Sequence, residues 1–432
     1  MRILVITHSY HPANDPRAFR WSAICEYWAQ KGIIVDVVCA NAESALPKKE
    51  QVKGVNVYRV GDPSQRFRSM EFAKVYADGS SEPLWRTKIK HATYALLKKI
   101  TLMLRWPDFA WFWIPRVYRE TKRLLKSHHY DGIFSVAHPF SSHLVAMMLG
   151  RRRQEIPWIC DYGDPFSFLK ESPMNNNRLY ERLNKYVERR VIKSSQKITV
   201  TTKKTADEYI AHLGGSKEWF HVIPPLVTGN YIFAERDEHA AAATKTVHLL
   251  FAGTLYSKIR NPHYLIELLS AVRNAITSCT IKIHFYGNLG DCKQEFEPWK
   301  AAINDWIFLH GHVDKSKIMQ VYESADILVN IGNSTTYQAP SKVIEYMSTG
   351  LPILNITSVE EDSTIPLLKA YPAAFSCFQG DGITENLVNK LGEFFKETQR
   401  VDIAVVNEIL KHYQSSAIAN SYLNLLSATS PC

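Results

Sequence analysis

The segment TTYQAPSKVIEYMSTGLPIL, residues 335–354, brings a cation, a carboxylate and a helix start close together. Pro340 suits the first turn of a helix, where its missing amide proton is not needed. The amides that follow would be free, with the positive end of the helix dipole behind them; they belong to Ser341, Lys342 and Val343. Glu345 could accept hydrogen bonds from two vicinal hydroxyls, such as those of a ribose. The pattern fits an anionic ligand that carries a sugar, and it also fits an ordinary capped helix with surface charges.

A second basic segment, FAGTLYSKIRNPHYL at 251–265, places a strand end at Gly253 ahead of a loop with Lys258 and Arg260. Arginine offers phosphate oxygens a fixed fork of donors, and lysine offers a point charge. A basic surface loop is the plain alternative. Because both segments follow strands of one predicted parallel sheet, their cations are expected at the same edge, where they could meet one diphosphate.

The elements that must position these residues alternate between strand and helix. In the first half, the apolar runs RILVITHS, IIVDVVCA, DGIFSVAHP, PWICDYGDP and KITVTT are separated by longer segments, most of them with helical patterns. A second series begins at VHLLFAGT and ends at LPILNI. Short apolar runs separated by helices indicate parallel sheets that are covered on both faces.

We therefore predict an α/β protein with two doubly wound, Rossmann-like domains that face each other across a cleft. The first domain covers 1–225 and the second covers 247–405. A linker is predicted at 226–246, within a stretch that is rich in proline and then in alanine. The last residues, 406–432, are expected to form a helix that packs back on the first domain.

Composition supports this reading. A chain of 432 residues is longer than one ordinary domain, and 46% hydrophobic with 22% charged residues indicates a globular protein. The seven cysteines are scattered without metal-ligand spacing, which predicts a reducing compartment and no bound metal. The first apolar run is too short for a signal-peptide core, and no run of about 18 apolar residues occurs, so we expect a cytoplasmic location.

The net charge of +10 is concentrated at 84–126, which holds eleven Lys/Arg and two Asp/Glu. Basic and apolar side chains interleave there at helical spacing, close to Trp106, Trp111 and Trp113. One interpretation is peripheral contact with anionic lipid, with the tryptophans at the interface. A solvated helix with its apolar side toward the core is the alternative. Nucleic acid is a weaker third reading because no binding module is recognisable, and we expect no nucleic-acid partner.

The pattern GTLY…R-N-P, followed late by P-S-K-V-I-E-Y-M-S-T-G-L-P-I, resembles the retaining, nucleotide-sugar-dependent glycosyltransferases of family four, which have the two-Rossmann GT-B fold. The stretches DGIFSVAHPFSSHLVAMML and IPWICDYGDPF are similar to a subgroup that makes bacterial polysaccharide, capsule or O-antigen. The resemblance spans nearly the whole chain, with gaps near 60–110 and 225–245.

The resemblance implies a role for each matching residue. Arg260 and Lys258 would neutralise the diphosphate leaving group, and Glu345 would bind the ribose. The other donor-nucleotide residues would be Gly253 and the amides of Ser341, Lys342 and Val343, and the donor sugar would lie near Tyr337, Gln338 and Ala339. His138 would lie near the transferred sugar. The acceptor side would hold Asp161, Asp164, His11 and Arg17, although a turn histidine and turn aspartates are the plain reading of 138, 161 and 164.

Two positions depart from the family pattern. Tyr337 stands where the family often has the first of two glutamates, the second being Glu345, and that first glutamate helps to hold the donor sugar. The stretch HSYHPANDPRAFR after the first strand lacks the paired glycines that the family often has. We expect His11, Asp15 or Arg17 to fill that space.

The predicted function is transfer of a sugar, with retention, from a nucleotide-diphosphate-sugar to a lipid-linked or polysaccharide acceptor. Fixed cations and amide dipoles would stabilise the charge that develops on the departing diphosphate, so no metal or other cofactor is expected. Front-face attack, with the leaving phosphate as base, is what the resemblance implies. A nucleotide-sugar 2-epimerase on the same fold is one alternative. A non-catalytic scaffold of a polysaccharide assembly complex is another, and it is motivated by Tyr337.

Overall fold

The computed structural model describes residues 1–41, 46–63, 103–150, 155–169, 173–227, 245–276, 279–314, 317–336, 341–397 and 399–428. The chain divides into two compact units. We call them the N-terminal unit, Met1–Pro224 with Ser415–Cys432, and the C-terminal unit, Pro225–Gln414. Most of the predicted linker, 228–244, lies outside the described residues. Both units are built on parallel sheets, which confirms the predicted fold class.

The N-terminal unit contains an eight-stranded sheet in the order β3-β4-β2-β1-β5-β6-β7-β8. Its strands are β1 (Arg2–Thr7), β2 (Ile34–Ala40), β3 (Lys49–Val52), β4 (Val55–Val60), β5 (Gly132–Val136), β6 (Trp158–Asp161), β7 (Lys197–Val200) and β8 (Phe220–Val222). All neighbours pair in parallel except β3 and β4, which pair antiparallel. The chain moves outward from β1 on one side and returns to β5 on the other, so the strand order reverses between β1 and β5.

The helices of this unit are α1 (Pro16–Gln30), α2 (Ile114–Ser127), α3 (Ser141–Met148), α4 (Asn177–Ser194) and α5 (Lys203–Leu213), joined by the last helix of the chain, Ser415–Ser427. Asp15 starts α1 because its carboxylate accepts hydrogen bonds from the amides of Arg17 and Ala18, at 2.9 and 3.0 Å, while Pro16 occupies the first turn. This cap fixes the helix that carries Arg17 beside the carboxyl end of β1.

The last helix packs on α1. The Trp28 indole donates a 3.0 Å hydrogen bond to the carbonyl of Ala419, and the Tyr422 ring lies 5.2 Å from that of Trp21. The prediction of one helix over 406–432 was wrong in its bounds. One helix ends at Leu410 in the C-terminal unit, and the extended backbone of Gln414 separates it from the next.

The basic segment predicted to contact lipid is described only from residue 103 onward. Trp113 has no exposed surface, and the indole of half-buried Trp106 donates a 3.0 Å hydrogen bond to Asn184. Both rings pack with the core of the unit. Because Trp113 is fully buried, the expectation that this ring lies at a lipid interface was wrong, while the lipid contact of the wider segment 84–126 stays a prediction. The two indole rings stabilise the packing of the α2 region on the sheet.

The C-terminal unit contains a six-stranded sheet in the order β11-β10-β9-β12-β13-β14. Its strands are β9 (Lys245–Ala252), β10 (Cys279–Tyr286), β11 (Ile307–Gly311), β12 (Ile327–Ile331), β13 (Ile353–Thr357) and β14 (Ala374–Phe378), and all neighbours pair in parallel. Its helices are α6 (His263–Ala275), α7 (Ile318–Glu323), α8 (Ser341–Met347), α9 (Thr364–Leu368), α10 (Glu385–Glu397) and α11 (Ile403–Leu410), and the final helix of the chain is then α12 (Ser415–Ser427).

Two separate hydrophobic clusters lie in this unit. One contains Leu249, Ile283 and Leu391, and the other contains Leu250, Leu328 and Val343. Because successive strand residues point to opposite faces, neighbours such as Leu249 and Leu250 belong to different clusters. The sheet is thereby held from both sides, and its strand order reverses between β9 and β12.

Candidate active site

Each unit presents its chemistry-bearing residues where the strand order reverses, at the carboxyl ends of the strands. In open α/β sheets this reversal leaves a crevice in which ligands bind. In the C-terminal unit the crevice lies between β9 and β12, and in the N-terminal unit between β1 and β5. We describe each site separately.

Arg260 lies at the crevice of the C-terminal unit. One terminal nitrogen donates to the side-chain oxygen of Asn333 at 2.8 Å, and the other approaches the carbonyl of Thr254 at 3.4 Å. The guanidinium Nε is buried and has no hydrogen-bond partner among the described residues. Burial lowers the pKa of Arg260, against smaller opposing effects of Tyr346, Tyr256 and Asp362. A desolvated cation held by neutral oxygens favours the arrival of an anion.

Lys258 lies on the same loop, and the loop is fastened to the residues after β12. Ser334 donates its amide to the carbonyl of Ile259 and its hydroxyl to the carbonyl of Lys258, both at 2.9 Å. The Lys258 side chain is exposed. Among the described residues no carboxylate lies within the 4.0 Å ion-pair distance of Lys258 or Arg260. Within that part of the chain, neither cation forms an ion pair with an acidic side chain, although Asp362 attracts Arg260 from a longer distance.

Lys342 approaches the same stretch from α8. Its ammonium donates a hydrogen bond to the carbonyl oxygen of Ala252, the last residue of β9. The hydroxyl of buried Tyr346, one turn later, accepts the amide proton of Ala252 at 3.2 Å. Since Arg260 contacts Thr254, cations from two segments that are distant in sequence both contact the backbone of residues 252–254.

Glu345 is half-buried on α8, and one of its carboxylate oxygens accepts a 3.1 Å hydrogen bond from Tyr322. Tyr322 is fully buried, so its ring fixes the orientation of the carboxylate. A carboxylate has about four acceptor positions, and one hydrogen bond leaves capacity for the hydroxyl pair that the sequence predicted.

Close backbone packing shapes the floor of this site. Gly287, after β10, has a φ of +122°, and a Cβ there would lie 2.0 Å from the carbonyl oxygen of Gly253. Only glycine fits both the conformation and the contact. The predicted residue Gly253 is thus held against the next strand of the sheet, directly before the basic loop.

His138 follows β5 in the N-terminal unit. The residue is exposed, and its ring lies 5.8 Å from that of Phe109. Crowding by protein atoms lowers the pKa of His138, and this desolvation outweighs the opposing attraction of Asp164 and Asp108. A lowered pKa favours the neutral imidazole, which can accept or donate a hydrogen bond without carrying charge.

Asp161 ends β6 and is almost fully buried. Its carboxylate accepts hydrogen bonds from the side chains of Trp21, Thr199 and Tyr422, at 3.0, 2.7 and 2.6 Å, and Arg17 lies at 3.5 Å. Burial acts to raise the pKa of Asp161, but the positive charges of Arg20 and Arg17 prevail and lower it. Its oxygens are occupied by protein donors, so Asp161 is suited to hold Arg17 in place.

Gly163 explains the position of Arg17. A Cβ on Gly163 would lie 0.8 Å from a terminal nitrogen of the Arg17 guanidinium, so this side chain occupies the space that any other residue would need. Of the other predicted acceptor-side residues, Asp164 is half-buried and next in the chain, while His11 is exposed and its carbonyl accepts a 3.0 Å hydrogen bond from Arg59.

Two buried polar groups at this crevice were missed by the sequence reasoning. His8, directly after β1, hydrogen-bonds to Asp62 at 2.9 Å, and its ring packs against Phe109. Asp108 accepts the amide and hydroxyl protons of Ser141 at the start of α3, at 2.8 and 2.7 Å. The position of His8 directly after a strand was the available signal; Asp108 carries none, because its partner is 33 residues away.

The predicted donor-sugar residues Tyr337, Gln338 and Ala339 lie outside the described residues. Within the described ranges, no group of three His, Cys, Asp or Glu side chains is arranged to hold a metal ion. No helix in that part of the chain combines the length and the apolar character that a bilayer crossing requires.

Comparison with protein families gives two matches that follow each other along the chain. Residues 73–228 match the model of Glycosyltransferase Family 4, and residues 246–364 match that of Glycosyl transferases group 1. Comparison with curated proteins gives no match. The family matches make the chain a glycosyltransferase.

Solved structures agree on the fold. Sucrose-phosphate synthase from Thermosynechococcus elongatus is 14% identical with a TM-score of 0.63, over 99% of this chain and 100% of that one. Anabaena HepE in complex with UDP and glucose is 13% identical with a TM-score of 0.60, over 99% of both chains. The lipopolysaccharide outer core galactosyltransferase WaaB gives 13% and 0.60, again over 99% of both.

The two Rossmann-like units and these matches define the class of protein as a glycosyltransferase with GT-B architecture. More particularly, the chain belongs to glycosyltransferase family 4, whose members are retaining enzymes that use a nucleotide-sugar donor.

Proposed function

We propose that the protein transfers a sugar from a nucleoside-diphosphate sugar to a lipid-linked or polysaccharide acceptor, without a metal ion. The observation that carries the proposal is the state of Arg260. Its guanidinium is bound by two neutral oxygens, keeps a buried donor without a partner among the described residues, and has no carboxylate there within 4.0 Å. A diphosphate is the ligand that would complete this site.

The donor nucleotide would be held by groups of the C-terminal unit. Arg260, Lys258 and Lys342 would receive the diphosphate oxygens, with the backbone at Gly253 close by. Glu345, oriented by Tyr322, would accept the two ribose hydroxyls. The amides of Ser341, Lys342 and Val343 and the sugar contacts of Tyr337, Gln338 and Ala339 stay predictions.

The chemistry would follow from where charge develops. As the bond between the anomeric carbon and the phosphate oxygen breaks, its electron pair goes to the diphosphate, and fixed cations stabilise that charge without reorganising. The acceptor oxygen forms the new bond to the anomeric carbon on the same face, and its proton passes to the departing phosphate. Arg260 and Lys258 would supply the electrophilic assistance that a metal supplies in other transferases.

The N-terminal unit would serve the sugar and the acceptor. His138, whose pKa is lowered by burial of its ring among protein atoms, would hydrogen-bond a hydroxyl of the transferred sugar. Asp164 and His11 would face the acceptor, with Arg17 beside them. We assign Asp161 to the positioning of Arg17, because its own oxygens are occupied.

The identity of the donor and the location are chosen by likeness. HepE is seen with UDP and glucose, so UDP-sugars are the first donors to test. WaaB is a lipopolysaccharide outer core galactosyltransferase, which supports a glycan acceptor of the polysaccharide, capsule or O-antigen kind. A cytoplasmic protein at the inner face of the membrane would meet both substrates.

The test is donor turnover by the full chain. UDP-, GDP-, dTDP- and CMP-sugars are screened for a rise in melting temperature, and the stabilising donor is then incubated with and without a lipid extract. We expect acceptor-dependent release of the nucleotide that survives a chelator. Conversion of the donor to its 2-epimer without acceptor would indicate the epimerase instead. Binding without any turnover would indicate the scaffold.

A further inference from the structure

Helix α4, Asn177–Ser194, distributes its side chains unusually between core and solvent. Its inner face buries two polar groups, Asn184 and Glu188. The Glu188 carboxylate accepts hydrogen bonds from the amides of Phe166 and Ser167, at 3.1 and 2.9 Å. Burial raises the pKa of Glu188. These hydrogen bonds attach the helix to the unit together with the buried apolar side chains of the same face.

The outer face of α4 carries a second set of apolar residues, in addition to Val187, Val191 and Ile192, which the inner face buries. Leu179, Leu183 and Tyr186 are 56%, 41% and 57% exposed. They are spaced i, i+4 and i+7, so they form one stripe along about 10 Å of the helix. A helix that only had to pack on the sheet would turn its leucines inward.

The apolar stripe continues onto a neighbouring segment. Met103 and Leu104 are 47% and 52% exposed, and the Leu104 carbonyl accepts a 3.1 Å hydrogen bond from Tyr180 of α4. Five large exposed apolar side chains are thus gathered on two adjacent segments of the N-terminal unit. Large exposed apolar side chains grouped on neighbouring segments are typical of an interaction site.

Positive charge surrounds the stripe. The exposed cations of α4 are Arg178, Arg182, Lys185, Arg189, Arg190 and Lys193, against one exposed carboxylate, Glu181. The Arg190 guanidinium donates to the Tyr186 hydroxyl at 3.2 Å, so cation and aromatic ring are joined at the surface. An apolar stripe with a strongly basic border is the pattern of a helix that lies in the plane of an anionic membrane.

We propose that the outer face of α4, with Met103 and Leu104, docks on an anionic lipid surface. The leucines and Tyr186 enter the boundary between headgroups and acyl chains, and the cations bind the lipid phosphates. This surface is centred on α4 and shares only Met103 and Leu104 with the segment 84–126 that the composition indicated, of which Trp106 and Trp113 pack against the core. The proposal stands apart from the transfer reaction, because it requires lipid binding and no turnover.

Charge decides for lipid over a protein partner of this same sequence. A second copy of α4 would place the six exposed cations of one helix against those of the other, and like charges at an interface oppose association. A bilayer with anionic headgroups instead offers negative charge outside an apolar interior. Its headgroups can bind the cations of α4 while its interior accepts the apolar stripe.

The first experiment removes the apolar stripe. The full chain and the variant Leu179→Ser/Leu183→Ser/Tyr186→Ser are tested for flotation with vesicles of phosphatidylcholine alone or mixed with phosphatidylglycerol. We expect the full chain to float only with the mixed vesicles and the variant to lose at least about tenfold in partitioning. The matched control is Ile403→Ser/Val405→Ser, which removes apolar residues of 42% and 41% exposure from the C-terminal unit and should float as the parent does.

The second experiment removes charge and keeps the stripe. Arg182→Gln/Lys185→Gln/Lys193→Gln should weaken flotation by about tenfold or more, and added salt should weaken the parent toward the variant. Exposed lysines elsewhere provide the control, Lys369→Gln/Lys390→Gln. Because all substituted side chains are exposed, melting temperatures should match the parent.

Four results would overturn the proposal. The parent chain could fail to float with the mixed vesicles, or it could float equally with phosphatidylcholine alone. The stripe variant could float as well as the parent. A parent chain that sedimented as a dimer, with the serine variant a monomer, would assign the face to a second copy of the chain.

Discussion

The cations of the two crevices are in opposite electrostatic situations. In the N-terminal unit, Arg17 and Arg20 share a buried carboxylate, Asp161, which is itself saturated by three hydrogen bonds. In the C-terminal unit, Arg260 is bound by an amide oxygen and a carbonyl, and Lys258 is exposed. One site carries its own counter-ion, and within the described residues the other lacks a carboxylate at ion-pair distance.

From this difference we infer that the arginines of the N-terminal crevice have a structural role and that the cations of the C-terminal crevice have a ligand-binding role. A buried ion pair that is complete within the protein has nothing to gain from a ligand, and its loss affects folding. A desolvated cation held by neutral oxygens gains most when an anion arrives. The C-terminal crevice should therefore respond to phosphate, and the N-terminal crevice should respond to changes in its own network.

The largest effect is expected from Arg260→Ala. Removing the fixed cation from the departing diphosphate should lower kcat by about 10²–10³-fold, in the range found when one preorganised donor is removed. Steady-state donor consumption with acceptor measures it. Arg273 is a matched control, because it is a partly buried arginine of the same unit that contacts Ile281, Asp305 and Trp306 away from the crevice. Equal losses of kcat in Arg260→Ala and Arg273→Ala would contradict a special role of Arg260 in binding the diphosphate.

Asp161→Asn should break the N-terminal site in a different way. Two arginines would lose their buried counter-charge, which costs about 3 kcal/mol of unfolding free energy. Hydrogen exchange of α1 should accelerate, while nucleotide affinity in the C-terminal unit stays within about twofold, since additive behaviour is expected for distant sites. A variant that keeps its α1 protection but loses nucleotide binding would reverse the assignment.

The same carboxylate predicts a pH dependence. The folded pKa of Asp161 lies below its ordinary value, so its contribution to stability is complete above about pH 4 and is lost as pH falls through the folded pKa. Acid unfolding of the N-terminal unit should therefore begin at higher pH in Asp161→Asn than in the parent. Superimposable acid transitions would show that the Arg17–Asp161–Arg20 network contributes little.

Glu345→Gln should weaken nucleoside-diphosphate affinity by about tenfold, because hydrogen bonds to a charged acceptor are worth about 1.5–3 kcal/mol and the neutral amide retains part of them. Tyr322→Phe, which removes only the hydrogen bond that orients Glu345, should have a smaller effect. Calorimetry with the diphosphate and with its 2′-deoxy analogue measures both. A 2′-deoxy analogue that binds the parent chain as tightly as the diphosphate itself would contradict the assignment of Glu345 to the ribose.

The smallest effect is expected from Lys258→Ala. An exposed cation acts through a screened charge, so affinity for the diphosphate should fall by about fivefold at low salt and by less as salt rises. Titrations at several salt concentrations give the slope. A loss that salt does not change would mean that Lys258 acts by position and not by charge.

The fold was largely readable from the sequence, and the polar networks were not. Apolar runs such as those of β1 and β9 fix two parallel sheets by period and length alone. The break at Gln414 was missed because the residues on both sides of it favour helix. The separate helix α12 becomes recognisable only from its packing on α1. The burial of Trp113 likewise depends on contacts across the sheet.

Candidate residues were found where the residue type alone carries chemistry. Arg260, Lys258 and Glu345 stood out by charge and by their place after strands. Asn333 did not, because a neutral amide after β12 gains meaning only when Arg260 reaches it from 73 residues away. The engagement of Asp161 by Tyr422 spans 261 residues, which no local pattern could anticipate.

The central claim is that the cations of the C-terminal crevice bind a diphosphate. The most direct measurement is calorimetric titration of the parent and of Arg260→Ala with UDP, GDP, ADP and dTDP and with the matching monophosphates. For at least one base, the parent should prefer the diphosphate by about tenfold or more, and Arg260→Ala should lose most of that preference. Equal affinity for mono- and diphosphates with every base, or an unchanged preference in Arg260→Ala, would contradict the account.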